Sequence, residues 1–232
     1  MVRPSDRPTG RPSDAPVVLY SPVMAPNLAP LLQLMLVTDD RLIRGRDLAV
    51  LCQAAERGGV TSIQVRVKEA TPRELAAAVR AVMGAVRVPV LVYGRADVAI
   101  ACRAAGVHLG PDDVPVPVVR RIAPKGFIIG ASVGTTAEVE NGRGADYWGI
   151  GPWRPTDTKS DAGPALGAEG FAAIVRRAEG RPCLAIGAVR PEDVSSVSNA
   201  GGVGVAVASG ILVLEEIEVA ARMYRVELAG PS

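Results

Sequence analysis

From Leu32 onward the chain repeats one unit, a short apolar run followed by a stretch with helical spacing, about every 20 to 30 residues to its end. That recurrence restricts the fold, because parallel strands need crossover connections and the connections cover both faces of the sheet. The spacing predicts strands at 33–37, 62–66, 88–92, 106–109, 127–129, 146–150, 183–186 and 202–207. Helical segments are expected between them, centred near 47–57, 72–86, 96–104, 115–122, 136–142, 168–179, 191–200 and 215–228. Thr71-Pro72-Arg73-Glu74 gives a clear start signal, with Thr at the cap, Pro at the first helical position and Glu in the first turn. Eight alternations without a hairpin signal argue for an α/β protein of the closed (β/α)8 TIM-barrel class. Periodicity alone does not prove closure, and a doubly wound open sheet stays the alternative.

Composition fits this reading. Hydrophobic residues make up 48% of the 232-residue chain but aromatics only 3%, so the core has to be built from Val, Leu, Ile and Ala, as parallel strands buried on both faces require. Residues 1–30 are rich in Pro, with Arg and Ser, and lack the continuous apolar segment of a signal peptide. They are expected to form a flexible N-terminal extension to one barrel domain of residues 31–232. A net charge of +2 without a basic block gives no footprint for nucleic acid, and no apolar run reaches the length of a membrane span. Cys52, Cys102 and Cys183 are odd in number and far apart, which points to buried reduced thiols and a cytoplasmic location. His108 is the sole histidine; it excludes a His-rich metal site and reads as a packed side chain. Homo-oligomerisation through outer helices is left open by the sequence.

In a barrel, chemistry collects at the C-terminal ends of the strands. Gln64, Arg66 and Lys68 follow the second strand at alternate positions, so an extended conformation would point them the same way. Tyr93-Gly94-Arg95 follows the third strand, Asp112-Asp113 the fourth and Ser132 the fifth. The segment 151–167, GPWRPTDTKSDAGPALG, follows the sixth and is too polar and Pro/Gly-rich for helix or sheet; Thr156, Thr158 and Lys159 offer it two hydroxyls and an ammonium. Strand seven ends in Gly187 and strand eight in Ala208-Ser209-Gly210, small residues that let backbone N–H groups approach a ligand. Arg66, Lys68 and Lys159 together suit a pyrophosphate, and Asp113 beside them suits Mg²⁺, which takes one or two carboxylates plus phosphate oxygens. The ligands are therefore expected to be small phosphorylated molecules. With no Cys/His pair and no Ser/His/Asp set, positioning and leaving-group stabilisation are favoured over covalent catalysis.

These residues resemble the thiamine-phosphate synthase family over residues 34–217, nearly the whole chain beyond the extension. Leu36-Val37-Thr38-Asp39 is similar to the family's first-strand signature, Gln64-x-Arg66-x-Lys68 to its second, and Gly106-Val107-His108-Leu109-Gly110 with Asp113 to its fourth. Gly151-Pro152 through Pro155-Thr156-x-Thr158-Lys159 is similar to its most diagnostic loop, and Ala185-Ile186-Gly187 to its seventh strand. The resemblance implies a (β/α)8 barrel that joins hydroxymethylpyrimidine diphosphate to thiazole phosphate, releasing pyrophosphate by a dissociative displacement. It implies that Gln64, Arg66, Lys68 and Lys159 hold the diphosphate with Asp113 on Mg²⁺. Thr156 and Thr158 would lie by the thiazole, Ser132 would face the reacting centre, and Gly187 with Ala208 and Ser209 would take the thiazole phosphate. Lys159, Arg66 and Ser132 are then the expected catalytic set.

The departures are specific. Where the family has Asn-Asp-Arg after strand three, this chain has Tyr93-Gly94-Arg95, so one metal carboxylate of the expected pair is missing and Tyr93 narrows the pyrimidine pocket. Pro111-Asp112 replaces Gln-Glu, and Ala188 replaces a second Gly. A thiazole tautomerase of the same barrel type places a histidine two residues after the Ser of strand five, where this chain has Gly134. The rival that remains is a non-catalytic or repurposed phosphate-ligand barrel.

Overall fold

A computed structural model describes residues 28–43, 45–156 and 163–229. Strands β1 Leu34–Val37, β2 Ser62–Val65, β3 Val90–Tyr93, β4 Gly106–Leu109, β5 Ile128–Val133, β6 Tyr147–Ile150, β7 Cys183–Ile186 and β8 Gly204–Val207 pair in sequence order, all parallel. β8 pairs β1, so the sheet is a closed barrel and the open-sheet alternative falls. Nearly every strand residue is buried, which is why these segments read as unbroken apolar runs rather than alternating ones. No helix among the described residues is long and apolar enough to cross a membrane.

The helices follow from local signals plus one buried stripe each. In helix Pro72–Ala85 the Thr71 hydroxyl accepts from the Glu74 N–H while the Glu74 carboxylate accepts from the Thr71 N–H, completing a capping box. That helix buries Leu75, Val79 and Val82, spaced i, i+4, i+7, against the barrel. At the barrel floor the turn Ala29–Leu32 buries Leu28 and Leu32 in the same apolar cluster as Met35, Leu91 and Leu184.

Of the elements that differ from expectation, two flank the site. β5 runs to Val133 instead of stopping at 129, so Ser132 lies in the strand. Gly130-Ala131-Ser132 has little strand propensity, but ladders on both sides, Leu109 opposite Ala131 and Val133 opposite Ile150, hold it extended. Segment Thr136–Gly142 is a 3₁₀ helix rather than an α-helix; the Thr135 side chain caps it, and its last carbonyl accepts from the Trp148 indole N–H.

The interior of the barrel is less uniform than its outside. Tyr147 of β6 shares the inner cluster with Met35, Leu91 and Leu184, and its ring crosses to β5 where Gly130 leaves room. A Cβ at 130 would sit 2.1 Å from Tyr147 Cζ, and one at 149 would sit 3.0 Å from His108 Cε1. Two glycines thus let two polar rings enter a layer that barrels commonly fill with Val, Ile and Leu.

Candidate active site at the C-terminal rim

A cavity of about 210 Å³ opens at the C-terminal ends of the strands, where the rim residues were expected to meet. Gln64, Arg66, Tyr93, Ser132 and Thr156 line it. So do Gly187, Ala208 and Ser209 on the opposite side. Thr158 and Lys159 lie outside the described residues.

Arg66 is held from three directions. Its backbone N–H donates to the Thr38 hydroxyl at 2.8 Å, and that hydroxyl donates back to the Arg66 carbonyl at 3.1 Å. Its guanidinium pairs with Asp39, both side chains being buried (8% and 4% exposed). The guanidinium also lies 5.5 Å from the centre of the Tyr93 ring, within cation–π range. Asp39 neutralises a charge that the barrel could not otherwise bury, and the remaining guanidinium N–H groups stay available to a ligand. Sequence reading noted Thr38 and Asp39 only as a strand signature; a partner 27 positions away leaves no local signal.

Lys68 takes a different place. β2 ends at Val65, so the extended conformation does not persist, and Lys68 stands exposed in a turn beyond the cavity wall. Asp113 is partly buried, and its Oδ2 accepts from the Gly110 N–H at 2.6 Å. Asp112 beside it is exposed. Gly94 has φ +72°, and a Cβ there would lie 3.0 Å from Asp113 Oδ1, so Asp113 occupies the room that a side chain at 94 would need. Among the described residues no group of three or more His, Cys, Asp or Glu side chains could cage a metal. One carboxylate fixed by a backbone N–H fits an ion shared with substrate phosphates, the arrangement Mg²⁺ favours, and not an ion held by protein alone.

Ser132 and His108 both line the cavity, side by side. His108 Nε2 lies 2.9 Å from Ser132 Oγ, and Nδ1 lies 2.9 Å from the Tyr147 hydroxyl. Burial, with the Asp146 charge adding to it, pushes the Tyr147 phenol far above its usual range. Neither His108 nor Tyr147 was singled out for function from sequence. The two sit on β4 and β6 with β5 between them, a relation set by strand pairing that leaves no local sequence signal.

The base of the long loop after β6 is clamped. The N–H groups of Trp153 and Arg154 donate to the carbonyls of Ile186 and Gly187, while those of Leu166 and Gly167 donate back to Pro152 and Trp153. Trp153 is buried edge-on against Phe171, and Arg154 makes a two-point ion pair with Asp193 at 2.6 and 2.8 Å. Thr156 is therefore delivered to the cavity from a fixed base.

A family profile described as Thiamine monophosphate synthase matches residues 34–211. The thiamine-phosphate synthase of Syntrophomonas wolfei is 41% identical over 197 residues, covering 83% of this chain and 94% of that protein. That of Azorhizobium caulinodans is 42% identical over 199 residues, covering 84% and 93%. Among solved structures, thiamine phosphate pyrophosphorylase from Pyrococcus furiosus superposes with a TM-score of 0.78 at 35% identity, covering 88% of this chain and 98% of that one.

Proposed function

The chain belongs to the thiamine monophosphate synthase family, and on that premise we propose that it condenses hydroxymethylpyrimidine diphosphate with thiazole phosphate to give thiamine phosphate and pyrophosphate. The observation that carries this reading is the meeting of Gln64, Arg66, Ser132 and Thr156 around one cavity at the barrel rim. Arg66 and Gln64 bind the diphosphate from the β2 side, joined by Lys68 and Lys159 from the turn and the long loop. Thr156 and Thr158 border the thiazole, and Gly187, Ala208 and Ser209 receive its phosphate.

The carbon–oxygen bond between the pyrimidine methylene and the diphosphate breaks, with its electron pair leaving on pyrophosphate. The electron-rich aminopyrimidine stabilises the cation, and the thiazole nitrogen supplies the pair for the new carbon–nitrogen bond. Arg66, already fixed by Asp39 and Thr38, meets the developing negative charge without reorganising, which is where preorganised donors act most strongly. Tyr93 walls the pyrimidine side and holds the guanidinium plane. Asp113 is the residue that would hold Mg²⁺, which when bound neutralises diphosphate charge. With Gly94 in place of a second carboxylate, affinity for the free ion is low and depends on the substrate. One barrel domain carries the activity, and its floor takes in Leu28 and the helix Ala29–Leu32, a few residues before the boundary at 31 expected from sequence. Cys52, Cys102 and Cys183 are free and buried, with Cys52 and Cys183 pushed up to about 12 by burial, so they are packing residues rather than nucleophiles; a cytoplasmic setting is proposed from the biosynthetic reaction.

The test is incubation of the purified chain with both substrates while Mg²⁺ is titrated. Thiamine phosphate and pyrophosphate are expected in equal amounts, with activity rising only at high Mg²⁺. Binding of both substrates by calorimetry without product at saturating Mg²⁺ would contradict the reading and favour a repurposed phosphate-ligand barrel.

A further inference from the structure

Ser132, His108 and Tyr147 form one chain from the cavity to the barrel interior, with contacts of 2.9 Å at each link. At first sight this is a nucleophile with its base, since a serine beside an imidazole normally gives its proton to the ring. Proton bookkeeping along the chain reverses that direction. The Tyr147 side chain is fully buried and keeps its proton, and a buried hydroxyl proton without an acceptor is costly. Among the described residues the partner of that hydroxyl is His108 Nδ1. Tyr147 therefore donates to Nδ1, and a neutral imidazole carries its own proton on Nε2. That proton points at Ser132 Oγ, so the serine accepts from the ring and its own O–H turns away from it, towards the cavity.

We propose that His108, fixed in the Nε2–H form by Tyr147, is a positioning residue that makes Ser132 a one-way hydrogen-bond donor to an acceptor atom of the bound substrate. The packing supports a built arrangement. Gly130 leaves room for the Tyr147 ring and Gly149 for the His108 ring, and the rings lie 5.5 Å apart in a tilted pair. Ser132 is then neither nucleophile nor base, in keeping with a reaction driven by leaving-group stabilisation. The inference rests on the reading above in placing Ser132 at the reacting centre, but the proton arrangement belongs to the free protein.

His108 is the sole histidine, so ¹⁵N-labelled protein gives one imidazole pair in a long-range ¹H–¹⁵N spectrum. Recorded without substrate about two pH units above the ordinary imidazole value of ~6.5, it is expected to show a protonated Nε2 and a bare Nδ1. Tyr147→Phe keeps the ring and its packing but removes the donor. It should shift the tautomer towards Nδ1–H and lower kcat about three- to tenfold with KM for both substrates little changed. In a Ser132→Ala background the same change should cost nothing further. A wild-type Nδ1–H tautomer, or Tyr147→Phe and Ser132→Ala effects on kcat that simply multiply, would overturn the proposal. The spectrum decides the proton placement even if the wild type makes no thiamine phosphate, a result that would strike the functional reading instead.

Discussion

The wall of the barrel and its rim handle polar groups in opposite ways. In the wall, Arg66 with Asp39 and His108 with Tyr147 are buried, Ser132 is partly buried against His108, and all are mutually paired and already in place. On the rim, Lys68 and Asp112 are exposed, and the partly buried Asp113 accepts from the Gly110 N–H. The wall groups had to find partners within the protein because burial makes an unpaired polar group expensive. The rim groups are solvated and can wait for a charged ligand. The wall should therefore govern stability and the chemical step, and the rim should govern substrate and metal affinity.

The largest expected effect breaks the wall. Arg66→Met leaves Asp39 buried without its cation and should cost about 3–5 kcal/mol in chemical denaturation, whereas the double change Arg66→Met with Asp39→Asn should recover part of the loss. A single-variant loss below ~1 kcal/mol would show that the pair is not buried in solution. Activity should vanish in both variants.

Gly94→Ala acts at the border of the two regions. Its φ of +72° and a Cβ 3.0 Å from Asp113 Oδ1 predict a loss of roughly 1–2 kcal/mol by thermal unfolding. Displacement of Asp113 should also raise the Mg²⁺ concentration needed for half-maximal activity. An unchanged Mg²⁺ titration would remove Asp113 from the metal site.

Arg154→Ala tests the clamp under the long loop through pH. Burial raises the Asp193 carboxyl, but the hydrogen bonds from Arg154, the Arg190 N–H and Trp153 outweigh it and leave the folded-state value below the ordinary Asp range. A depressed carboxyl stabilises the fold above its unfolded value and loses that contribution as pH falls through the folded one. Without Arg154 the lowering weakens and Asp193 titrates at higher pH, so Arg154→Ala should be less stable than the wild type at neutral pH, and this deficit should close as pH falls through the wild-type carboxyl's folded value. Superimposable acid-unfolding curves would show that the clamp does not depend on this pair. Lys68→Ala is expected to be the mildest for the fold, within about 0.5 kcal/mol of wild type, because an exposed turn lysine supports nothing below it.

The strands of Val, Leu and Ile were legible in the sequence because burial on both faces writes itself as continuous apolar runs. The end of β5 was not, since Gly130-Ala131-Ser132 is held extended by neighbours rather than by its own propensity. Strand-end residues such as Gln64, Arg66 and Ser132 showed through because strand ends are fixed by the repeat. Lys68 was placed in line with them only by assuming that the strand continued past Val65. The wall partners escaped for a different reason. Asp39 is 27 positions from Arg66, and Tyr147 is 39 from His108, so each pairing exists only once the sheet sets β1 beside β2 and its curvature turns β4 and β6 towards one interior.

Steady-state kinetics of Ser132→Ala and Lys68→Ala with both substrates at saturating Mg²⁺ tests the division of labour most directly. The account predicts a kcat about 10²-fold lower for Ser132→Ala with KM nearly unchanged, the mark of an interaction made in the transition state. For Lys68→Ala it predicts a raised KM for the pyrimidine diphosphate with kcat largely kept. A Ser132→Ala variant that loses only affinity, or a Lys68→Ala variant that loses only turnover, would contradict it.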